Sequence, residues 1–343
     1  MLRLLSLLIF ITLSLPANSL VLNPNSIGRG GVDMALGGSS NSIFSNPSNL
    51  TTIGVDELVV EPIDSSIALN EDTLDFLTEL SSDADNSKKV SALMKKNIGK
   101  TLSFRANNFA SIYKTPGRYS WLFGLQNDIS GYFITHSGFG SIGAMESYIE
   151  RYRSAVGTLS FSQNSLSYGV NIRAIEKYQT IHNYSIGEMI ESDSFMEYFD
   201  NEYTQKEEAV ALDTGISYKL PNAKLAFSIL NIGDTSFKEI GEIPSTTNIG
   251  FSSNYRKFLF GMDYIDLFGA EYDANFEDSI RFGISRSFFD DSLTLSSGIL
   301  YEGLTFGVDY RYSILNISLS SFKEKEYNSI KNRKYQLSLS LAW

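Results

Sequence analysis

Two histidines, His136 and His182, are the chain's whole supply of imidazole, and it contains no cysteine. A protein zinc site takes about three or four nitrogen and sulfur ligands, so a multi-histidine or thiolate metal centre has too little material. A hydrolase built on a barrel needs its histidine clustered with Ser or Asp on adjacent strands. His136 stands beside Ser137, but neither histidine falls in a visible Ser/His/Asp arrangement, and a rim or interfacial histidine is the plainer reading. Gly138-Phe139-Gly140-Ser141-Ile142-Gly143 is glycine-rich but has no βαβ unit around it to make a dinucleotide site. It reads as a loop or bulge. No cofactor and no enzymatic activity are expected.

The remaining chemistry is charge: Arg173, Asp263, Arg281, Asp309 and Arg311. Each occupies the polar position of an alternating segment. Leu166, Tyr168, Val170 and Ile172 alternate with Ser167, Gly169, Asn171 and Arg173. Phe258, Phe260, Met262 and Tyr264 oppose Leu259, Gly261 and Asp263. Ile280, Phe282 and Ile284 oppose Arg281, Gly283 and Ser285, and Leu304 to Tyr312 alternates through Thr305, Gly307, Asp309 and Arg311. Period-two alternation marks strands with one apolar and one polar face. If the apolar face meets lipid, the charges must point inward, because a charge facing lipid at midplane costs about 2–4 kcal/mol. There they either form cross-strand ion pairs and plug contacts or set the selectivity of a passage. The structural role is the plainer of the two.

The pattern recurs from Tyr119 to the end of the sequence. In the last segment Tyr335, Leu337, Leu339, Leu341 and Trp343 alternate with Gln336, Ser338, Ser340 and Ala342. Turn signals such as Pro116-Gly117, Pro221-Asn222 and Asp290-Asp291 punctuate the strands. A β-sandwich also alternates, but roughly a dozen strands without a linker exceed a typical sandwich domain. The expectation is an all-β transmembrane antiparallel barrel of about 12–14 strands. Composition agrees: 26 Gly, 19 Tyr and 23 Phe, a mean hydropathy of −0.09 and a net charge of −11. Only alternate residues of such a barrel face lipid, so the mean stays near zero. The acidic balance argues against nucleic-acid binding, which needs a basic stripe. Arg3, the apolar run Leu4–Leu15, Pro16 and the small residues Ala17 and Ser19 have the layout of a secretory signal peptide. Two segments break the strand pattern. Residues about 72–99 have apolar spacing for two short helices, and about 187–203 for a helical acidic loop.

Between leader and first strand lie Ile27-Gly28-Arg29-Gly30-Gly31-Val32-Asp33-Met34-Ala35 and Asn46-Pro47-Ser48-Asn49-Leu50. This stretch resembles the N-terminal hatch of the FadL-like outer-membrane superfamily, with its Gly-Met-Gly-Gly-Ala-like run followed by Asn-Pro-Ala-x-Leu. Gly28, Gly30 and Gly31 match the glycines, with Arg29 where Met is usual. Asn46, Pro47 and Leu50 match the second motif, with Ser48 in place of Ala. These six residues are the hatch and gating candidates, and gating itself carries over only to Asn46 and Pro47. Residues Leu58 to Leu69, read as helical directly after the first strand, look more like the conjugal-transfer TraF-like branch, and PorV-like proteins of type IX secretion share the opening motif. The last strand resembles the signal that the barrel-assembly machinery reads, carried here by Tyr335, Leu337, Leu339, Leu341 and Trp343.

The expected organisation is a leader over 1–19, a hatch over 20–56 and an outer-membrane barrel over 57–343, its last strand closing against the first near Leu58 and Val60. The resemblance implies passage of hydrophobic small molecules across the outer membrane, with membrane lipid and the barrel-assembly machinery as partners. The alternative it leaves open is a structural component of a conjugal-transfer or secretion apparatus.

Overall fold

The computed structural model describes residues 25–54, 58–83, 87–115, 118–136, 145–185, 204–270, 276–325 and 331–343. The expected leader, the acidic segment 187–203, Pro116-Gly117 and Gly138–Gly143 lie outside them. The strands run in chain order as β1 Leu58–Glu61, β2 Ile63–Asn70, β3 Thr101–Lys114, β4 Tyr119–Thr135, β5 Met145–Gln163, β6 Leu166–Tyr184, β7 Thr204–Lys219 and β8 Ala223–Leu230. There follow β9 Thr235–Phe237, β10 Gly241–Ile243, β11 Thr246–Tyr255, β12 Phe258–Tyr264, β13 Ile280–Phe288, β14 Leu293–Leu300, β15 Gly303–Tyr312, β16 Leu315–Lys325 and β17 Lys331–Leu341. Apart from the small β9–β10 hairpin, every strand joins one antiparallel sheet, in which β17 pairs with β2 and β3 pairs with both β2 and β4. The ring is therefore closed. β1 and β2 are two halves of one strand interrupted at Pro62, so the 15 strands of the sheet make a 14-stranded barrel. Leu58 to Leu69, expected to be helical, is strand instead, its burial alternating with period two on either side of Pro62.

Alternation builds this wall. On β15, Leu304, Phe306 and Val308 stand exposed on the outer face, and Thr305 and Gly307 are buried inside. The closing strand pairs Lys334–Leu341 with Asn70–Ile63. Trp343 then exchanges two backbone hydrogen bonds with Val60, at 2.8 and 3.1 Å. The expected contact near Val60 is present, whereas Leu58 pairs with Lys114 of β3.

Connections at the end holding both β1 and Trp343 are short. The opposite end carries the longer ones, apart from Tyr301-Glu302, whose φ values of 48° and 59° make a tight turn matched to strand twist. Helices α1 (Glu71–Asp83) and α2 (Ser87–Lys96) fill one of these connections, where the spacing predicted them. Asn70 Oδ1 accepts the Thr73 N–H at 3.0 Å and caps α1. Acidic Glu71 and Asp72 open α1, and Lys95 and Lys96 close α2, both favourable to the helix dipole.

Candidate functional site

Residues 25–54 lie inside the wall as three short 3₁₀ turns: η1 Ile27–Arg29, η2 Ser40–Phe44 and η3 Pro47–Thr52. The first rests against β13–β16 and the last against β4–β7, so the segment reaches across the lumen to opposite walls. Gly30 ends η1 at φ 75°, a left-handed conformation that favours glycine. Close approach explains the rest of the motif. A Cβ on Gly28 would stand 2.5 Å from the Gly307 Cα.

The wall supplies glycines of its own at this level. Gly169 and Gly215 are direct cross-strand partners, and so are Gly261 with Gly283 and Gly283 with Gly298. A Cβ on Gly169 would meet the Pro47 carbonyl carbon at 2.3 Å, and one on Gly283 the Arg29 carbonyl oxygen at 2.2 Å. The segment's backbone is thus seated in a belt of inward-facing wall glycines. The sequence carried a signal for this belt: glycine recurs at the polar position of strand after strand.

Asn46 caps η3. Its Oδ1 accepts the Ser48 N–H at 3.0 Å and the Ser48 hydroxyl at 2.8 Å, and its Nδ2 donates to the carbonyls of Met34 and of Ile216 in the wall. Pro47 follows at the first helical position, where its fixed φ suits the turn, and its carbonyl accepts the Ser160 hydroxyl at 2.8 Å. Leu50 is buried in an apolar cluster with Ile43, Phe44, Phe109, Leu122 and Val156. Sequence reasoning missed Asn49 and Asp33. Asn49 donates to the carbonyls of Asp33 and Met34 and accepts from Lys224 Nζ at 2.9 Å. The Asp33 carboxylate accepts from Ser42 and Ser45.

The inward charges divide by height. Asp263 accepts the backbone N–H groups of Asp33 (2.7 Å) and Met34 (2.9 Å). Arg281, its cross-strand neighbour, donates to the Gly31 carbonyl at 3.3 Å. Asp309 is half-buried in the fields of Arg29 and Arg311, and Arg311 is exposed near the β15–β16 turn. Arg173 makes a bidentate pair with Asp213, both bonds 2.9 Å, and donates to Asn231 at 2.6 Å. Its link to the N-terminal segment is indirect: Asn171 bonds both Asp213 and the Ile43 carbonyl. Farther from the termini, Arg105, Glu324 and Lys334 form a second ionic cluster. The β9–β10 hairpin packs Phe237, Ile240 and Ile243 onto Tyr152, Ile175 and Ala211 of the inner wall, and Lys177 Nζ bonds the Ile240 carbonyl at 2.9 Å. His136 lies 3.5 Å from Glu146, and His182 packs edge-on against Tyr184.

One concavity lies on the outer face beside the Pro62 interruption. It has a volume of about 810 Å³ and spans β1 to β6. Ala110, Ala155, Gly157 and Ala174 stand outward there between the larger Phe123 and Leu159, and the missing side-chain bulk leaves a groove. Directly behind it, on the inner face, lie Phe109, Leu122 and Val156 of the cluster that holds Leu50.

No protein-family model and no curated protein matches the chain. Solved structures do. A deltaS2S3 mutant of TodX, a monoaromatic hydrocarbon channel, superposes with a TM-score of 0.62 at 13% identity, covering 93% of this chain and 97% of its own. TodX itself is a P. putida toluene transporter. The Ralstonia pickettii toluene transporter TbuX gives 0.61 at 11% identity over 93% and 97%, and a Pseudomonas aeruginosa FadL homologue 0.50 at 11% over the same shares. The fold is that of the FadL-like outer-membrane barrels. At these identities the likeness concerns the fold. These neighbours are FadL-family channels, and the expected affinity to the TraF-like branch gains no support from them.

Proposed function

We propose that this protein is an outer-membrane channel that passes hydrophobic small molecules, with residues 25–54 as its hatch and Asn46 and Pro47 at the gate. The observation that carries the reading is the apolar outer groove at the Pro62 interruption, backed across the wall by the cluster that seats Leu50. An apolar solute gains by leaving water for such a surface. A wall thinned by small residues and broken at a proline is the natural place for it to move between lumen and bilayer. The channels TodX and TbuX, described as a monoaromatic hydrocarbon channel and a toluene transporter, share the fold and lend the solute class. The exposed outer residues of the last strand, Tyr335, Leu337, Leu339 and Trp343, suit recognition by the barrel-assembly machinery and then contact with lipid.

The test is uptake of labelled toluene, alkane and fatty acid into liposomes holding the folded barrel. Wild type should accelerate uptake of at least one. Deleting Pro62 removes the one extra residue of the first strand while Glu61 keeps its partner Ser111, and should slow uptake in a barrel that still shows its heat-dependent gel shift. No uptake by inserted wild-type protein sinks the proposal and leaves a structural role in an assembly.

A further inference from the structure

The interruption of the first strand has a second consequence, on the inner face. Glu61 pairs with Ser111 and Ser65 with Asn108. Four steps along the first strand therefore match three along β3, which is a one-residue bulge at Pro62. In an unbroken strand, residues three apart face opposite ways. The bulge instead turns both Glu61 and Asp64 inward, and both are buried.

Two carboxylates are thus held together out of water, close enough to repel each other. Among the described residues neither forms a salt bridge; their partners come from the hatch. The Ser40 hydroxyl donates to Glu61 Oε2 at 2.5 Å, and Asn41 Nδ2 donates to Asp64 Oδ2. Asp64 Oδ1 and Asn41 Oδ1 are buried with no hydrogen-bond partner, although Asn41 and Asp64 are 0% and 1% exposed. The Ser111 hydroxyl stands beside Glu61 from across the ladder. Other buried acids of this lumen are compensated by basic partners or by backbone donors: Asp213 has Arg173, Glu324 has Lys334, and Asp263 accepts the N–H groups of Asp33 and Met34. Buried charge without compensation is strongly unfavourable, and here oxygen atoms surround it.

We propose that Glu61, Asp64, Asn41, Ser40 and Ser111 form a binding site for a hard divalent cation of the calcium class, which clips the hatch to the bulged first strand. All the donors are oxygens, which selects against zinc and copper. Calcium accepts about 6–8 oxygens in flexible geometry, whereas magnesium demands a near-ideal octahedron and keeps its waters. Two carboxylates balance the ion's charge. Half a turn of the Asn41 amide places Oδ1 where Nδ2 now meets Asp64, so that the amide oxygen and the carboxylate both face the ion. The clip joins η2 to β1 and β2, one step from the seam where β2 meets β17. It does not depend on which solute, if any, the barrel passes.

The experiment uses the full folded barrel in detergent, stripped with EGTA. Terbium is titrated with excitation of tyrosine, since Tyr113 lies in the field of both acids, and is then displaced by calcium. Thermal unfolding is followed by gel shift with and without calcium. The expected result is one saturable terbium site displaced by calcium, at least tenfold weaker in E61Q/D64N, with calcium raising the unfolding midpoint of wild type only. Asn41→Ala alters the hatch and leaves every strand intact, so it reports even if the double variant fails to fold; it too should weaken calcium binding. Tyr113→Phe should dim the luminescence without moving the calcium midpoint. Binding that is absent from wild type, or unchanged in both Asn41→Ala and E61Q/D64N, overturns the site. In that case protons or outer-surface acids account for the behaviour.

Discussion

At the scale of single residues, the lumen is governed by how each buried charge is compensated. Arg173 is anchored by both Asp213 oxygens, and Asp213 also accepts the Asn231 backbone N–H at 2.9 Å. Asp213→Ala leaves a buried guanidinium unpaired and a backbone donor orphaned, a defect worth about 3–5 kcal/mol. The urea midpoint of the folded barrel should fall accordingly, while Asp213→Asn, which keeps the oxygen acceptor, should fall less. An equal loss in the two variants would show that the paired charge, rather than hydrogen bonding, holds the site. The sequence placed Arg173 on an inward position from alternation alone, but its partner was hidden. Asp213 shares a ladder with Arg173 only once the register of β6 on β7 is set, and 19 residues after Tyr184 carry no periodic signal for that register. Glu61 and Asp64 were invisible for a related reason: a one-residue bulge inverts the parity on which such reasoning rests.

At the scale of elements, alternation made the wall legible almost strand by strand, and the spacing of Leu74, Leu77, Val90 and Leu93 located α1 and α2. What strand patterns could not reveal was contact between the wall and the N-terminal segment, because it joins wall side chains such as Asp263, Ser160 and Asn171, and wall glycines, to backbone groups of a segment that has no periodicity of its own. The glycine belt is where it can be tested. Gly169→Ala places a methyl 2.3–2.5 Å from Pro47 and Ser48 backbone atoms, which cannot yield as a flexible side chain would. Gly157 faces outward, and a Cβ there has ordinary contact, 3.7 Å from Phe123. Gly169→Ala should therefore dislodge η3 and make the segment around Asn46 sensitive to protease. Gly157→Ala should not, and both barrels should still shift on heating. Equal protection in the two variants would mean that the seat is looser than its geometry.

At the scale of the whole molecule, strand number decides why a hatch is needed. Eight strands enclose a lumen that wall side chains can fill, and about 16–18 leave an aqueous channel. A 14-stranded wall lies between, too wide for its own side chains. The wall is also lopsided. β5 and β6 have 19 residues each, but β12 has 7 and β14 has 8. The β9–β10 hairpin folds onto the tall side, and η1 reaches the short side, where Ile27 packs with Leu300 and Phe322. The hatch thus spans both halves of the lumen, whereas the hairpin covers only the tall one. The ladder that closes the ring involves only β2, β3 and β17, so it survives without the hatch. Deleting residues 25–54 should leave a heat-modifiable barrel whose planar-bilayer current rises from a closed baseline to a steady ionic conductance. Asp263, Arg281 and Asn171, freed of their hatch partners, would then line water. The hairpin alone leaves the short side open, so its presence should limit that current without abolishing it. A deletion barrel that stays closed would show that the hairpin and wall seal the lumen unaided, and that the hatch is a fitting of the closed barrel rather than its gate.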